Sequence, residues 1–207
     1  ADRKNDERRK PVDVLAFIAP RPGMTAMDVS ASGGYTTELL ARAVGPTGKV
    51  IGQSLVPAAG PQAPPPAPFV ERQKNPQLAH MSFIRRPFED PVPPDMYGKL
   101  DLVTFMFNYH DMGHLKVDRD KLNRSVFAGL KPGGVYVIAD HSGRPGTGIG
   151  ESGTLHRVEE AFVVKEVEAA GFKLAARGDF LRNPQDPRTE AEPSHPKDEF
   201  VLKFVKP

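Results

Sequence analysis

The stretch that decides the fold is Met24-Thr25-Ala26-Met27-Asp28-Val29-Ser30-Ala31-Ser32-Gly33-Gly34. Its first part, Met24–Val29, is short and apolar, which predicts a buried strand, and the small residues after it predict a tight turn. Residues Tyr35–Val44 then show helical spacing with a polar face, and Gly45 and Pro46 end this helix. A strand, a tight turn and a helix form the first half of a βαβ unit.

The same alternation continues along the chain. Further strands are predicted at Lys49–Gln53, Met81–Arg86, Leu100–Phe107, Val135–Ala139, Phe172–Leu181 and Glu199–Val205. The other predicted helices are Val12–Ile18, Asp118–Leu130 and Thr154–Ala170, with a helical turn or two in Phe69–Ala79. Strands that alternate with helices, followed by a closing pair of strands, predict an open and mostly parallel sheet with helices on both faces.

Length and composition indicate a single domain over residues 1–207. A chain of 207 residues with 39% hydrophobic residues can bury a core of ordinary size. Two segments differ from the rest, namely a charged leader at residues 1–10 and a proline-rich loop at residues 56–70. The chain contains no cysteine, which excludes disulfides and thiolate chemistry, so histidines and carboxylates must carry any catalysis.

The charge pattern excludes several partner classes. Lys and Arg number 28 against 26 Asp and Glu, and no basic stripe with interleaved aromatic residues occurs, so we expect no nucleic acid partner. No apolar run approaches the roughly 18 residues of a membrane span, so we expect no membrane partner. Composition leaves the compartment open: periplasmic or exported if a signal peptide preceded Ala1, and cytoplasmic otherwise. It does not indicate an oligomeric state.

Three segments together resemble the class I S-adenosylmethionine-dependent methyltransferase family: Met27–Tyr35, Leu100–Phe107 and Leu130-Lys131-Pro132-Gly133-Gly134-Val135. The likeness spans about residues 11–206 in the family's order. It implies a Rossmann-like three-layer α/β sandwich with a seven-stranded, mostly parallel sheet of order 3-2-1-4-5-7-6, in which strand 7 is antiparallel. It also implies S-adenosylmethionine as cofactor, a small-molecule substrate, and a ligand crevice at the carboxyl ends of strands 1, 4 and 5.

The resemblance implies a set of cofactor-binding residues, and the sequence departs from the family pattern in two places. Ser30 and Ser32 replace glycines of the turn, and Gln53-Ser54 stands where the family usually has an acid that binds the ribose. Loss of a charged hydrogen bond predicts cofactor binding that is about tenfold to a hundredfold weaker. The implied set is Asp28, Ser30, Ser32, Gly34, Tyr35, Gln53, Ser54, Glu89, Asp90 and Asn108. The alternative is a crevice that no longer holds this cofactor.

Polar residues follow the two central strands and should meet in the crevice. Asn108-Tyr109-His110-Asp111 follows strand 4, Asp140-His141 follows strand 5, and His156 comes near the next helix. In one interpretation His110 or His141 is a general base, oriented by Asp111 or Asp140. Tyr109 then packs on the substrate or on the methionine part of the cofactor. The candidate catalytic set is His110, His141, Asp111, Asp140, Tyr109 and His156, without a metal.

Other interpretations stay open. Asp111, Asp140 and His141 are a possible ligand set for a divalent ion, and their mixed donors favour zinc, manganese or iron over magnesium. Each histidine taken singly also has a purely structural interpretation. The preferred function is a small-molecule methyltransferase with His/Asp-assisted deprotonation of the acceptor. The alternatives are an exported methyltransferase-like protein with lyase or hydrolase activity, and a non-catalytic ligand-binding domain.

Overall fold

The computed structural model describes residues 2–57 and 60–207, so residue 1 of the leader and residues 58 and 59 of the proline-rich loop lie outside it. Seven strands form one sheet in the order β3-β2-β1-β4-β5-β7-β6. Only β7 runs against its neighbours β5 and β6 within these residues. The strands are β1 (Thr25–Val29), β2 (Lys49–Ser54), β3 (Met81–Arg85), β4 (Leu100–Met106), β5 (Leu130–His141), β6 (Lys173–Gly178) and β7 (Glu199–Val205). The predicted strand order and the antiparallel strand are confirmed.

Helices cover both faces of the sheet, as predicted. They are α1 (Arg3–Arg9), α2 (Pro11–Ile18), α3 (Tyr35–Val44), α4 (Ala67–Gln73), α5 (Asp111–His114), α6 (Arg119–Gly129) and α7 (Glu160–Ala169). One apolar cluster joins the sheet to α2, α3 and α4 through side chains such as Val14, Leu40 and Phe69. A second joins the other face to α6 and α7 through Leu122 and Val163. The chain is therefore a three-layer α/β sandwich.

The central strands read as continuous apolar runs because both of their faces are covered. Every residue of β4 except Asp101 is buried. Asp118 caps α6 by accepting a hydrogen bond from the backbone N of Lys121 at 3.1 Å, as its position before the helix predicts. In the described ranges no helix is both long and apolar enough to cross a membrane.

The structure adds one helix to the sequence analysis and corrects the start of another. The leader contains the helix α1, which sequence periodicity does not reveal because none of its residues is buried. Helix α7 begins at Glu160 and not at Thr154. The residues before it form turns, Val158 makes an isolated parallel bridge with Ser142 just after β5, and His156 has a left-handed backbone with a φ of 51°.

Candidate active site

The turn after β1 has a backbone that favours glycine at three positions. Ser30, Ser32 and Gly34 have φ angles of 60°, 48° and 82°. A left-handed backbone costs a residue with a side chain about 1–2 kcal/mol. The two serines therefore keep the shape of a glycine turn at a cost in stability.

The end of β2 supports this turn. The backbone N of Ser30 donates to Gln53 Oε1, and that of Ser32 donates to Ser54 Oγ, both at 3.2 Å. Gln53 is fully buried, and its Nε2 donates to the carbonyl of Arg86 at 2.8 Å. The Gln53 amide thus bridges two loops inside the protein, and its contact with the cofactor stays a prediction. Ser54 supports the turn in the same way, and its contact with a cofactor stays a prediction.

Three other residues predicted to bind the cofactor, Gly34, Glu89 and Asp90, do not line the cavity at the end of β1. A Cβ atom at Gly34 would lie 2.6 Å from a ring carbon of Phe69, so glycine is needed here for the packing of α4. Asp90 accepts a hydrogen bond from Ser125 Oγ at 2.9 Å, which ties the loop after β3 to α6. Among the described residues, neither Glu89 nor Asp90 lines the cavity at the end of β1. These positions therefore add nothing to the crevice as it stands.

A cavity of about 230 Å³ opens at the carboxyl ends of β1 and β4. It contains members of the predicted set from three parts of the chain, together with Gly33, which was not predicted. Those members are Asp28, Ser30, Ser32, Tyr35 and Asn108. The turn after β1, the start of α3 and the end of β4 therefore share one hollow.

Asp28 is a buried acid at the floor of this cavity. Its carboxylate accepts hydrogen bonds from Thr37 Oγ1 at 2.7 Å and from Thr104 Oγ1 at 2.8 Å. Burial raises the pKa of Asp28 to about 6, although these two hydrogen bonds act in the opposite direction. The ionised Asp28 carboxylate therefore lowers the stability of the folded chain at neutral pH.

Helix α1 closes one side of the cavity through polar contacts. The Arg9 guanidinium lies 4.8 Å from the centre of the Phe107 ring and 5.3 Å from that of Tyr35. The Tyr35 hydroxyl donates to Asp6 Oδ1 at 2.6 Å. Arg9 lines the cavity, and its buried Nε has no hydrogen-bond partner among the described residues. A buried donor of this kind is normally satisfied, so Arg9 marks a place for an acceptor.

The tips of β4 and β5 meet beside the cavity at His110. Its Nδ1 lies 2.7 Å from Asp140 Oδ1, and its Nε2 lies 3.1 Å from Asp111 Oδ1. Burial disfavours the charged ring, but the two carboxylates outweigh burial and raise the pKa of His110 to about 9. At neutral pH His110 is therefore an imidazolium bound by two carboxylates. Because it already carries the proton, it is a poor general base in this arrangement.

Asp111 joins the histidines to the cavity. Asn108, which lines the cavity, donates through Nδ2 to Asp111 Oδ2 at 3.0 Å. The other oxygen, Oδ1, lies 3.7 Å from His156 Nδ1 and 3.8 Å from His114 Nδ1, in addition to its contact with His110. Although partial burial opposes it, hydrogen bonds from His110 and Asn108 keep the pKa of Asp111 well below its usual range. One carboxylate therefore faces three imidazole rings.

His141 has different surroundings from His110. Its ring packs between Phe107 and His110, with centroids 5.9 and 5.5 Å away. Its Nδ1 lies 2.9 Å from Oε1 of the almost fully buried Glu199 but has no hydrogen bond of good geometry among the described residues. The same Oε1 accepts a hydrogen bond from Arg8 Nη1 at 3.1 Å. Sequence analysis missed Glu199, although the pairing of β5 with β7 sets it directly opposite His141. Glu199 therefore lies beside the His141 ring without fixing it through a hydrogen bond.

Asp140 lies against His110 as an orienting carboxylate, as the sequence suggests, whereas the expected place of Tyr109 in the crevice and the metal-ligand interpretation of Asp140 do not agree with the structure. Tyr109 is fully buried in the layer of α6 and α7, where its hydroxyl donates to Glu166 Oε2 at 3.0 Å, so it contacts neither cofactor nor substrate. Asp140 is also fully buried, and it already accepts from the backbone N of His110 at 2.7 Å and of His141 at 2.8 Å. The ligand set of Asp111, Asp140 and His141 is therefore not available to an ion.

The chain is similar in sequence to a known methyltransferase over part of its length. No protein-family model matches the chain. A demethylmenaquinone methyltransferase from Staphylococcus aureus strain JH9 is 30% identical over 133 residues, which is 62% of this chain and 48% of that protein. The chain thus spans about half the length of the curated relatives it matches.

Solved structures show the fold more fully. A SAM-dependent methyltransferase from Aquifex aeolicus superposes with a TM-score of 0.67 at 19% identity, over 94% of this chain and 88% of that one. A geranyl diphosphate C-methyltransferase from Streptomyces coelicolor, bound to Mg²⁺, geranyl diphosphate and S-adenosyl-L-homocysteine, superposes with a TM-score of 0.68 at 13% identity, over 97% and 79%. The chain has the class I SAM-dependent methyltransferase fold.

Proposed function

We propose that this chain is an S-adenosylmethionine-dependent methyltransferase that acts on a small molecule. The observation that carries the proposal is the cavity at the ends of β1 and β4, because ligands of open α/β sheets bind at the carboxyl ends of the strands. The name of the Staphylococcus aureus relative and the S-adenosylhomocysteine in the Streptomyces coelicolor structure support the same activity.

The residues of the cavity fit this cofactor at its amino-acid end. Arg9 offers a buried guanidinium nitrogen, Nε, that has no hydrogen-bond partner in residues 2–57 and 60–207 and suits a carboxylate. The hydroxyls of Ser30 and Ser32 and the amide of Asn108 add neutral donors and acceptors around it. The volume of about 230 Å³ lies below the 300–1,000 Å³ of sites that enclose drug-sized ligands, so α1 must move outward when the whole cofactor binds.

In this proposal His141 takes the proton of the acceptor. The bound cofactor supplies a methyl group on a positively charged sulfur. When an acceptor oxygen or nitrogen takes that methyl group, the carbon–sulfur bond would break, S-adenosylhomocysteine would leave, and the proton of the acceptor would pass to His141 Nε2. The Glu199 carboxylate, 2.9 Å from Nδ1, would lie beside the resulting imidazolium. His110 keeps its own proton between Asp140 and Asp111, so it positions His141 and does not act as the base.

Calorimetric titration of the full chain with S-adenosylhomocysteine tests the cofactor. We expect saturable binding at one site, and no heat at millimolar ligand would overturn the proposal. Arg9→Gln should weaken this binding about tenfold to a hundredfold, the worth of a hydrogen bond to a charged group. Adenosine is the matched control ligand because it lacks the carboxylate, so its weaker binding should not change in the variant.

A panel of phenol, catechol and amine acceptors tests the base, with S-adenosylhomocysteine formation as the readout. For any acceptor that is methylated, His141→Asn should lower kcat by about a hundredfold or more. The affinity of this variant for S-adenosylhomocysteine should stay within about twofold of that of the unsubstituted chain, because His141 does not line the cofactor cavity. Turnover equal to that of the unsubstituted chain would refute the role of His141.

A further inference from the structure

We propose that His110, Asp111 and His156 bind a divalent transition-metal ion. Each residue offers one ligand atom, and these three atoms all lie within 4.8 Å of one another. This site goes beyond methyl transfer and does not depend on it. It also differs from the ligand set expected from the sequence, because Asp140 supports a ligand here and is not one itself.

The distances between donors suit a single ion. Ligands at 2.0–2.2 Å from a tetrahedral metal stand about 3.3–3.6 Å apart. Asp111 Oδ1 lies 3.1 Å from His110 Nε2 and 3.7 Å from His156 Nδ1. Both distances lie within about 0.2 Å of this spacing, so small shifts of these side chains bring the donors onto one centre.

His110 is held in the orientation that a metal ligand needs. Its Nδ1 lies 2.7 Å from the fully buried Asp140, so Nδ1 keeps its hydrogen, and Nε2 faces Asp111. An ion that binds here displaces the second proton of the imidazolium from Nε2. A carboxylate behind a histidine in this way fixes the tautomer and makes the imidazole a stronger ligand. Asn108 fixes Asp111 in turn, because its Nδ2 holds Oδ2 and leaves Oδ1 turned toward the rings.

The backbone at His156 is shaped to present its ring. His156 has a φ of 51°, a left-handed conformation that is uncommon for a residue with a side chain. The next residue, Arg157, is fully buried and forms a bidentate ion pair with Asp186. Its Nη1 donates to Oδ2 at 2.8 Å, and its Nη2 donates to Oδ1 at 3.2 Å. This anchor holds the loop while the His156 side chain stays 47% exposed, which leaves a route for an ion and a free position for water.

The donor set indicates the class of ion. Two imidazoles and one carboxylate suit Zn²⁺, Fe²⁺, Co²⁺ or Mn²⁺, whereas Mg²⁺ and Ca²⁺ prefer oxygen ligands. His114 lies at the edge of the site, with its Nδ1 3.8 Å from Asp111 Oδ1 and 3.1 Å from Ser152 Oγ. Since Ser152 already holds that nitrogen, we leave His114 outside the ligand set.

Titration of the chelator-treated full chain with Zn²⁺, and with Co²⁺ as a spectroscopic probe, tests the site. We expect one ion per chain and the visible absorption of Co²⁺ bound to nitrogen and oxygen ligands. His156→Gly should lower the affinity at least about tenfold and should fold, because glycine adopts a positive φ without strain. Asp111→Asn should have the same effect on affinity.

The control variant is His80→Asn, since His80 lies at the start of β3 with Nε2 2.9 Å from the carbonyl of Ala41. It should bind Zn²⁺ as the unsubstituted chain does. Equal binding by the unsubstituted chain and His156→Gly would overturn the proposal, as would no binding at millimolar Zn²⁺. S-adenosylhomocysteine titration of the same samples reports separately on the cofactor cavity, so failure of one proposal is distinguishable from failure of the other.

Discussion

Substitution Asp28→Asn should change the pH dependence of stability by a predictable amount. The pKa of Asp28 is about 6 in the folded chain against an ordinary value of 3.8. The folded state therefore binds a proton more tightly than the unfolded state. The protonated Asp28 carboxyl contributes its whole stabilising effect below about pH 4, and this contribution is lost as the pH rises through 6. The asparagine variant lacks this titration.

The size of the effect follows from the shift. A difference of about two pKa units corresponds to about 3 kcal/mol, of which about 2 kcal/mol is present at pH 4.5. The unfolding free energy of the unsubstituted chain, relative to Asp28→Asn, should thus be about 2 kcal/mol higher at pH 4.5 than at pH 8. Urea denaturation of both proteins at the two pH values measures it.

Thr104→Val provides a directional control. Thr104 Oγ1 donates to Asp28 at 2.8 Å, and this hydrogen bond lowers the pKa of Asp28. Its removal should raise that pKa further and make the pH dependence steeper. A difference between the unsubstituted chain and Asp28→Asn that stays constant from pH 4.5 to pH 8 would refute the assignment of Asp28 as a buried acid with a raised pKa.

Two further substitutions test residues outside the crevice. Tyr109→Phe should lower the free energy of unfolding by about 1–2 kcal/mol, because it removes the hydrogen bond to Glu166, and should leave S-adenosylhomocysteine affinity unchanged by calorimetry. Lost cofactor binding in a folded Tyr109→Phe would contradict its place in the helical layer. Asp186→Asn should lower the free energy of unfolding by about 3–5 kcal/mol, because the fully buried Arg157 loses its charged partner. Urea denaturation measures this, and a loss below 1 kcal/mol would show that Arg157 is not buried as a charge.

The sheet was predictable because its strands are apolar runs bounded by glycine and proline. Leu100–Phe107 was identified within one residue of β4, and Glu199–Val205 matches β7. The strand order followed from the family resemblance and not from the runs themselves, since an apolar run does not specify its neighbour. The meeting of the β4 and β5 tips followed from parallel geometry, because neighbouring parallel strands end at the same edge.

The errors have physical reasons. Beyond the last residue of β4, nothing in the sequence indicates which layer a side chain enters, so Tyr109 was assigned to the crevice with His110. Glu199 depends on the register of β5 with β7, and that register is set by pairing between segments distant along the chain. Helix α1 docks through ion pairs and hydrogen bonds and buries no residue, so it has no hydrophobic period to detect.

The claim on which the account depends is that one cofactor binds between the turn after β1 and helix α1. Amide hydrogen exchange of the full chain, measured by mass spectrometry with and without S-adenosylhomocysteine, tests it most directly. We predict slower exchange in peptides that cover residues 28–36 when the ligand is present, with a change in residues 2–9 as α1 adjusts. Unchanged exchange in both segments at saturating ligand, or protection confined to residues 182–198, would contradict it.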